Sequence, residues 1–291
     1  MLEKLLDEGW GYHDKESGRL ARDLAAAADE GVTADALAPF LHLSTHTIGE
    51  HLGDWVRALK LGKRVLDGRP PTAETARAWG RLYVAAAMAG DAVEAANSEL
   101  CYLKAAEDFG AALLDMRFML TSALVGSKRA GEAARLYRNA LDLTGKVGQS
   151  ATLDRTIAAA SNNLGWELYE MPSRSVAEDD LMRLCAGTSL DFWRKCGTWV
   201  NEERALYLKA LVSHNTGDPQ AALAEADQAL AIIKSQGERP LDAALLHLVR
   251  AAALGDQEAR LGAIGEADAA AAKLTAPGLQ AQFAAQRAKV V

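Results

Sequence analysis

Residues Gly217–Ile233 read GDPQAALAEADQALAII, and the Gly-Asp pair at their head decides the fold class. Glycine supplies the left-handed conformation that ends a helix, and aspartate caps the first turn of the next one. The same pair recurs at Gly53-Asp54, Gly90-Asp91 and Gly255-Asp256. A small residue follows each turn, or holds the equivalent place elsewhere: Ala58, Ala95, Ala133, Ala177, Ala222 and Ala259, in steps of 37, 38, 44, 45 and 37 residues. Gly18 extends the series one step toward the N-terminus. A small side chain at a fixed place in each second helix lets paired helices approach closely, so the chain reads as a run of helical hairpins.

Composition agrees. Of the 291 residues, 49% are apolar and only 6% aromatic, and the apolar share is dominated by Ala and Leu. These are the strongest helix formers, and β-branched residues are sparse. Several of the 7 prolines fall between helical patterns, at Pro70-Pro71, Pro172, Pro240 and Pro277. The pattern predicts helix pairs at about 33–51 with 54–67, 72–89 with 91–109, and 112–126 with 130–146. Further pairs follow at about 152–170 with 174–196, 200–215 with 219–236, and 241–254 with 256–274. A hairpin at about 2–11 with 15–30 and a helix at about 278–290 would cap the ends.

Four stretches carry a family resemblance: Gly217–Ile233, LGDWVRALKLGKRVLD (Leu52–Asp67), AGEAARLYRNALDL (Ala130–Leu143) and NNLGWELYE (Asn162–Glu170). They resemble the tetratricopeptide repeat family, and the last is similar to the first helix of the longer repeats in kinesin light chains. The resemblance covers nearly the whole chain. It implies an all-α fold, a right-handed α-solenoid of about six or seven antiparallel helix hairpins. That solenoid would be a single domain over 1–291, with a capping hairpin at 1–31, repeats at 32–274 and a capping helix at 275–291. Three features depart from the family pattern. The spacing exceeds the usual period of about 34 residues, Met171-Pro172-Ser173 replaces the Gly-Asp turn, and Arg260 sits beside the last small residue.

By the same resemblance, first helices would line a concave groove. In NNLGWELYE, Leu164, Gly165 and Leu168 match packing positions, which leaves Asn162, Asn163, Trp166 and Tyr169 a share of the groove. Neighbouring units would add Arg81, Met119 and Ser122 on one side and Tyr207, His214 and Asn215 on the other. An Asn side chain both donates to and accepts from a peptide backbone. Trp and Tyr combine apolar area with a polar tip, as binding hot spots do. Trp166 and Tyr169 would serve equally as core residues. Asp191–Tyr207, DFWRKCGTWVNEERALY, is either a junction packed by aromatics or a second recognition surface. The expected function is a non-catalytic scaffold holding a protein or peptide partner. The alternative is a sensor that closes around a small peptide or metabolite.

Other classes find little support. With 32 basic against 39 acidic residues the net charge is −7, and no basic run exceeds a pair or triplet such as Lys63-Arg64 or Lys128-Arg129. A duplex-binding protein displaces counterions with a basic patch, so nucleic acid is not an expected partner. Leu41–Leu59 superficially resembles the recognition helix of quorum-sensing-type bacterial regulators, but Glu50 and Asp54 occupy the surface that would meet phosphate. The opening MLEKLLDEGW carries acids where an export signal would be basic, and no stretch approaches the ~18 uninterrupted apolar residues that a membrane helix needs. Cys101, Cys185 and Cys196 read as reduced structural thiols, which points to the cytoplasm, and the Ala-rich composition to a high-GC bacterium. His42, His46 and Glu50 share one helical face at i, i+4 and i+8, with His51 adjacent. No HExxH pattern or cysteine pair accompanies them, so neither a metal nor any other cofactor is expected. The phosphate-loop, dinucleotide-loop and serine-nucleophile motifs are missing, and acid pairs such as Asp179-Asp180 and Glu202-Glu203 diverge on their helices. No catalytic residue is assigned.

Overall fold

The computed structural model describes residues 2–290, and the described residues form fifteen α-helices and one π-helical segment with no strand. Contacts divide the chain into two compact units, Met1–Thr156 and Ile157–Val291. The division falls inside a single continuous helix, Ala151–Glu170. Repeat spacing carries no information about where contacts thin out, so nothing in the sequence marks it.

The first unit contains α1 (Leu2–Gly9), α2 (Ser17–Glu30) and α3 (Leu37–Ser44), which runs directly into a π-helical segment (Thr45–His51). Then follow α4 (Trp55–Leu66), α5 (Ala76–Ala89), α6 (Ala92–Ala105), α7 (Phe109–Gly126) and α8 (Ala130–Leu143). The start of α9 (Ala151–Glu170) belongs here too. Neighbouring helices pack in chain order, α4 on α5, α5 on α6 and α7 on α8, and α5 also meets α3 and α7. Leu20, Leu24, Phe40 and Leu41 from the early helices join Leu82, Met116 and Met119 in one buried cluster. Each large side chain fully buried in this way stabilises by roughly 1.5–3 kcal/mol.

The second unit holds the rest of α9, then α10 (Val176–Cys196), α11 (Trp199–Asn215), α12 (Pro219–Gln236), α13 (Pro240–Ala253), α14 (Gln257–Ala271) and α15 (Pro277–Arg287). Leu206, Ala226, Ile233, Leu246 and Val249 form its central cluster. The C-terminal helix α15 is held by Phe283, buried with Leu245, Leu248 and Leu274, and by a two-pronged ion pair from Arg287 to Asp268.

Three of the four Gly-Asp turns behave as their chemistry requires, whereas Gly255 is not left-handed and α13 ends at an extended Leu254. Gly53, Gly90 and Gly217 take φ of 69°, 80° and 87°. Asp54, Asp91, Asp218 and Asp256 each accept a hydrogen bond from a backbone N–H in the first turn of the following helix. Two turns lack the motif and solve the problem differently. Before α8, Lys128 occupies the left-handed region at φ 60°, and Arg129 stands where the capping aspartate would be. Before α10, Ser175 and Glu178 form a reciprocal capping box. Ala58, Ala133 and Ala222 are fully buried, and Ala95 nearly so. Ala177 and Ala259 are exposed, contrary to the spacing argument. Both lie in the first turn of their helix, and in α14 the close contact falls one turn later, at Ala263.

Helix α7 is long and apolar enough by length and composition to cross a membrane, with mean hydropathy 1.3. Within the first unit 61% of it is buried, and its Arg117 pairs with Glu99 at 2.8 Å.

Candidate functional site

The half of α9 in the second unit divides into two faces. Leu164 and Leu168 are buried, and a Cβ on Gly165 would lie 3.0 Å from a methyl of Leu208. Gly165 therefore lets α11 approach α9 closely. The opposite face carries Asn162, Trp166 and Tyr169, all half-buried, and the exposed Asn163. The Trp166 ring meets Tyr169 edge-on at 5.6 Å between centroids and Tyr207 of α11 at 5.8 Å. Three of the residues predicted from sequence thus form one aromatic cluster, leaning on the core without being absorbed by it. Burial raises the pKa of Tyr169 and Tyr207, so both hydroxyls stay protonated and able to donate.

The Met171-Pro172-Ser173 turn ends α9, and the residue that makes it work is Arg174. Its guanidinium donates to the carbonyls of Leu168, Tyr169 and Met171 at 3.1, 3.1 and 3.2 Å. The Leu168 carbonyl also accepts from the Met171 N–H at 3.3 Å, but carbonyls at a helix end in general lack intrahelical partners. The same side chain pairs with Asp179 at 2.7 Å and donates to the side-chain oxygen of Asn215. Next to this network lies an open polar depression of about 670 Å³, whose wall includes Tyr169, Arg174, Asp179 and Asn215. Asn215, predicted as a groove residue, therefore has its oxygen occupied and its amide N–H groups left over. His214 is half-buried, with its Nδ1 buried and lacking a hydrogen-bond partner among the described residues. The sequence reading missed Arg174, because an arginine just beyond a helix end has no fixed spacing signature.

Arg81, Met119 and Ser122 belong to the first unit. Met119 is only 7% exposed and packs in the core, with its methyl 2.7 Å from where a Cβ on Gly80 would stand. Its assignment to a groove surface is thereby corrected: on α7 the face toward α5 is interior. Ser122 is half-buried. Arg81 is half-buried, with Asp115, Glu50 and Tyr102 supporting its charge and Arg77 opposing it. Burial pulls its pKa down to about 10, so it remains cationic at neutral pH.

In Asp191–Tyr207 the aromatics Trp193, Trp199 and Tyr207 pack against the second unit's core. The charges pair locally, Arg194 with Glu202 at 2.9 Å and Lys195 over the Phe192 ring at 3.9 Å. The three cysteines are free thiols.

The histidines are grouped differently from the sequence reading. His46 and His51 face each other, with their Nε2 atoms 3.2 Å apart, and His13 from the α1–α2 turn joins them. Each of the three offers a ring nitrogen within 4.8 Å of the others. His42 instead stacks edge-on against Trp10 at 4.9 Å. Of the predicted face of His42, His46 and Glu50, the last two do meet, His46 Nδ1 standing 2.6 Å from the Glu50 carboxylate, although 45–51 is a π-helical segment.

No family model matches this chain, and no curated protein matches it either.

Proposed function

We propose that this protein is a non-catalytic binding scaffold of the tetratricopeptide-like class, a right-handed solenoid of helix hairpins that holds an extended segment of a protein partner. The observation that carries the reading is the Trp166–Tyr169–Tyr207 cluster with Asn162 and Asn163 on the same helix. Rigid aromatic rings held by their neighbours lose little rotamer freedom on binding, and adjacent amides satisfy both the N–H and the C=O of a peptide backbone. The order of paired helices and the recurring Gly-Asp caps support the solenoid reading. The net charge of −7 favours a protein partner over nucleic acid, and a reducing cytoplasm suits three free thiols.

Peptides selected from a display library on the full chain provide the test. Trp166→Ala, and separately the Asn162→Ala/Asn163→Ala pair, should weaken the selected peptides by ~10-fold or more, as hot-spot truncation does. Selected peptides that bind both variants as they bind the wild type would overturn the reading.

A second reading, a sensor for a small anionic peptide or metabolite, is favoured by Arg81, whose guanidinium suits a carboxylate. Solution scattering with and without a selected ligand separates the two, because a sensor compacts on binding.

A further inference from the structure

We propose that His13, His46 and His51 form a binding site for a divalent transition-metal ion of the zinc class, which would clip the α1–α2 turn to the π-helical segment.

The local backbone is what brings the ligands together. In an α-helix, residues five apart point about 140° away from each other, so His46 and His51 would diverge. Here the N–H of Leu52 bonds to the carbonyl of Thr47 at 3.2 Å, an i→i+5 bond whose wider turn swings residue i+5 back toward residue i. π-helical turns are rare and concentrate at functional sites. This one places the two imidazole Nε2 atoms 3.2 Å apart. A tetrahedral zinc ion with Zn–N of about 2.0–2.1 Å requires its nitrogens to be about 3.3–3.4 Å apart, so the pair already stands at ligand spacing. His13 completes the triangle, with ring centroids 4.9 Å from His46 and 5.0 Å from His51.

The surrounding groups set the protonation state that a metal needs. His46 donates from Nδ1 to Glu50 at 2.6 Å. His13 donates from Nδ1 to the Trp10 carbonyl at 2.7 Å. In both rings the proton is therefore on Nδ1 and the lone pair on Nε2, the arrangement in which a carboxylate or carbonyl orients a metal-bound histidine. Glu50 is itself confined, because a Cβ on Gly126 would stand 2.7 Å from its carboxylate oxygen. The His13 carbonyl accepts from Ser17 at 2.8 Å, which steadies the turn. Gly9, whose Cβ would fall 2.8 Å from Leu43, seats the end of α1 on α3. Without metal, His51 donates a proton from Nε2 to His46. Metal binding moves that proton to the solvent side at Nδ1, leaving three neutral nitrogens and a fourth position open to water. A borderline cation suits this all-imidazole set, in the order copper, then nickel or zinc, and magnesium or calcium does not.

The test uses the full chain without an affinity tag, stripped with a chelator and titrated with Zn²⁺ against a chromogenic competitor. The expected result is stoichiometric binding, with Co²⁺ giving the visible bands of a tetrahedral site. His13→Gln and His51→Gln should each weaken Zn²⁺ by ~10-fold or more, and Glu50→Gln by ~10- to 100-fold through the lost support of His46. His42→Gln should bind as the wild type does. His51 is exposed and His13 lies in a surface turn, so circular dichroism will report unchanged helix content in those variants. Absence of stoichiometric binding at micromolar Zn²⁺, or binding that His13→Gln and His51→Gln leave intact, would overturn the proposal.

Discussion

Glu203→Gln should make the protein more stable at alkaline pH while changing little in mild acid. Glu203 lies on α11 with no exposed surface, and as a carboxylate both its oxygens lack a hydrogen-bond partner. The nearest cation is the Arg204 guanidinium, 3.8 Å away and itself half in solvent. Asp242, at the start of α13, adds a second negative charge and is already paired with Arg239 at 2.8 Å. Burial, then the Asp242 charge, push the Glu203 carboxyl from its ordinary 4.5 up to about 8, where as a neutral acid it donates to Asp242. Between those two values the folded protein keeps a proton that the unfolded chain has released, so stability falls as pH rises through the window. At ~1.36 kcal/mol for each pH unit of displacement, the ceiling on that loss is about 5 kcal/mol. A glutamine amide donates to Asp242 at every pH and has no proton to lose. Urea titrations followed by circular dichroism, run from pH ~5 to ~8.5, should show the variant close to wild type at the acid end. At the alkaline end it should be more stable by several kcal/mol. A stability difference between the two proteins that stays constant across the range would refute the argument, because only ionisation of Glu203 makes it vary.

Two further substitutions address the backbone. Gly49→Ala places a methyl 2.5–2.7 Å from the Trp55 ring, and the overpacking should cost about 1–3 kcal/mol. Gly145→Ala, which meets nothing within 4 Å, is its neutral control in the same denaturation assay. Lys128→Gly should stabilise by about 1 kcal/mol, because a residue with a side chain at φ 60° carries left-handed strain that glycine does not. A lower midpoint for that variant would show that Lys128 makes compensating contacts.

Helix positions were readable because capping is local chemistry. Each Gly-Asp pair marks a break between helices, its aspartate capping the next one, and the structure places α4, α6, α12 and α14 directly behind those pairs. The two turns without the pair were readable only as interruptions. Their solutions, a strained Lys128, the Ser175–Glu178 capping box and the Arg174 network, are mostly local, and only the Arg174 bond to Asn215 joins residues far apart in sequence. On α9 the packing positions of Leu164, Gly165 and Leu168 separated buried from open faces, and the face left over holds Trp166 and Tyr169. The same reasoning failed at Met119, because α7 is apolar nearly all round and offers no polar face to orient it.

Periodicity and caps suffice for an all-helical chain with its breaks in order, since both are written into residues a few positions apart. Which side chains converge is a different matter. His13 reaches His46 and His51 across more than thirty residues and through a π-helical turn that 3.6-residue periodicity does not anticipate. Glu203 and Asp242 meet only because α11 packs on α13. Convergence of this kind is set by helix packing, where a shift of one residue or one extra residue in a turn redirects a side chain completely.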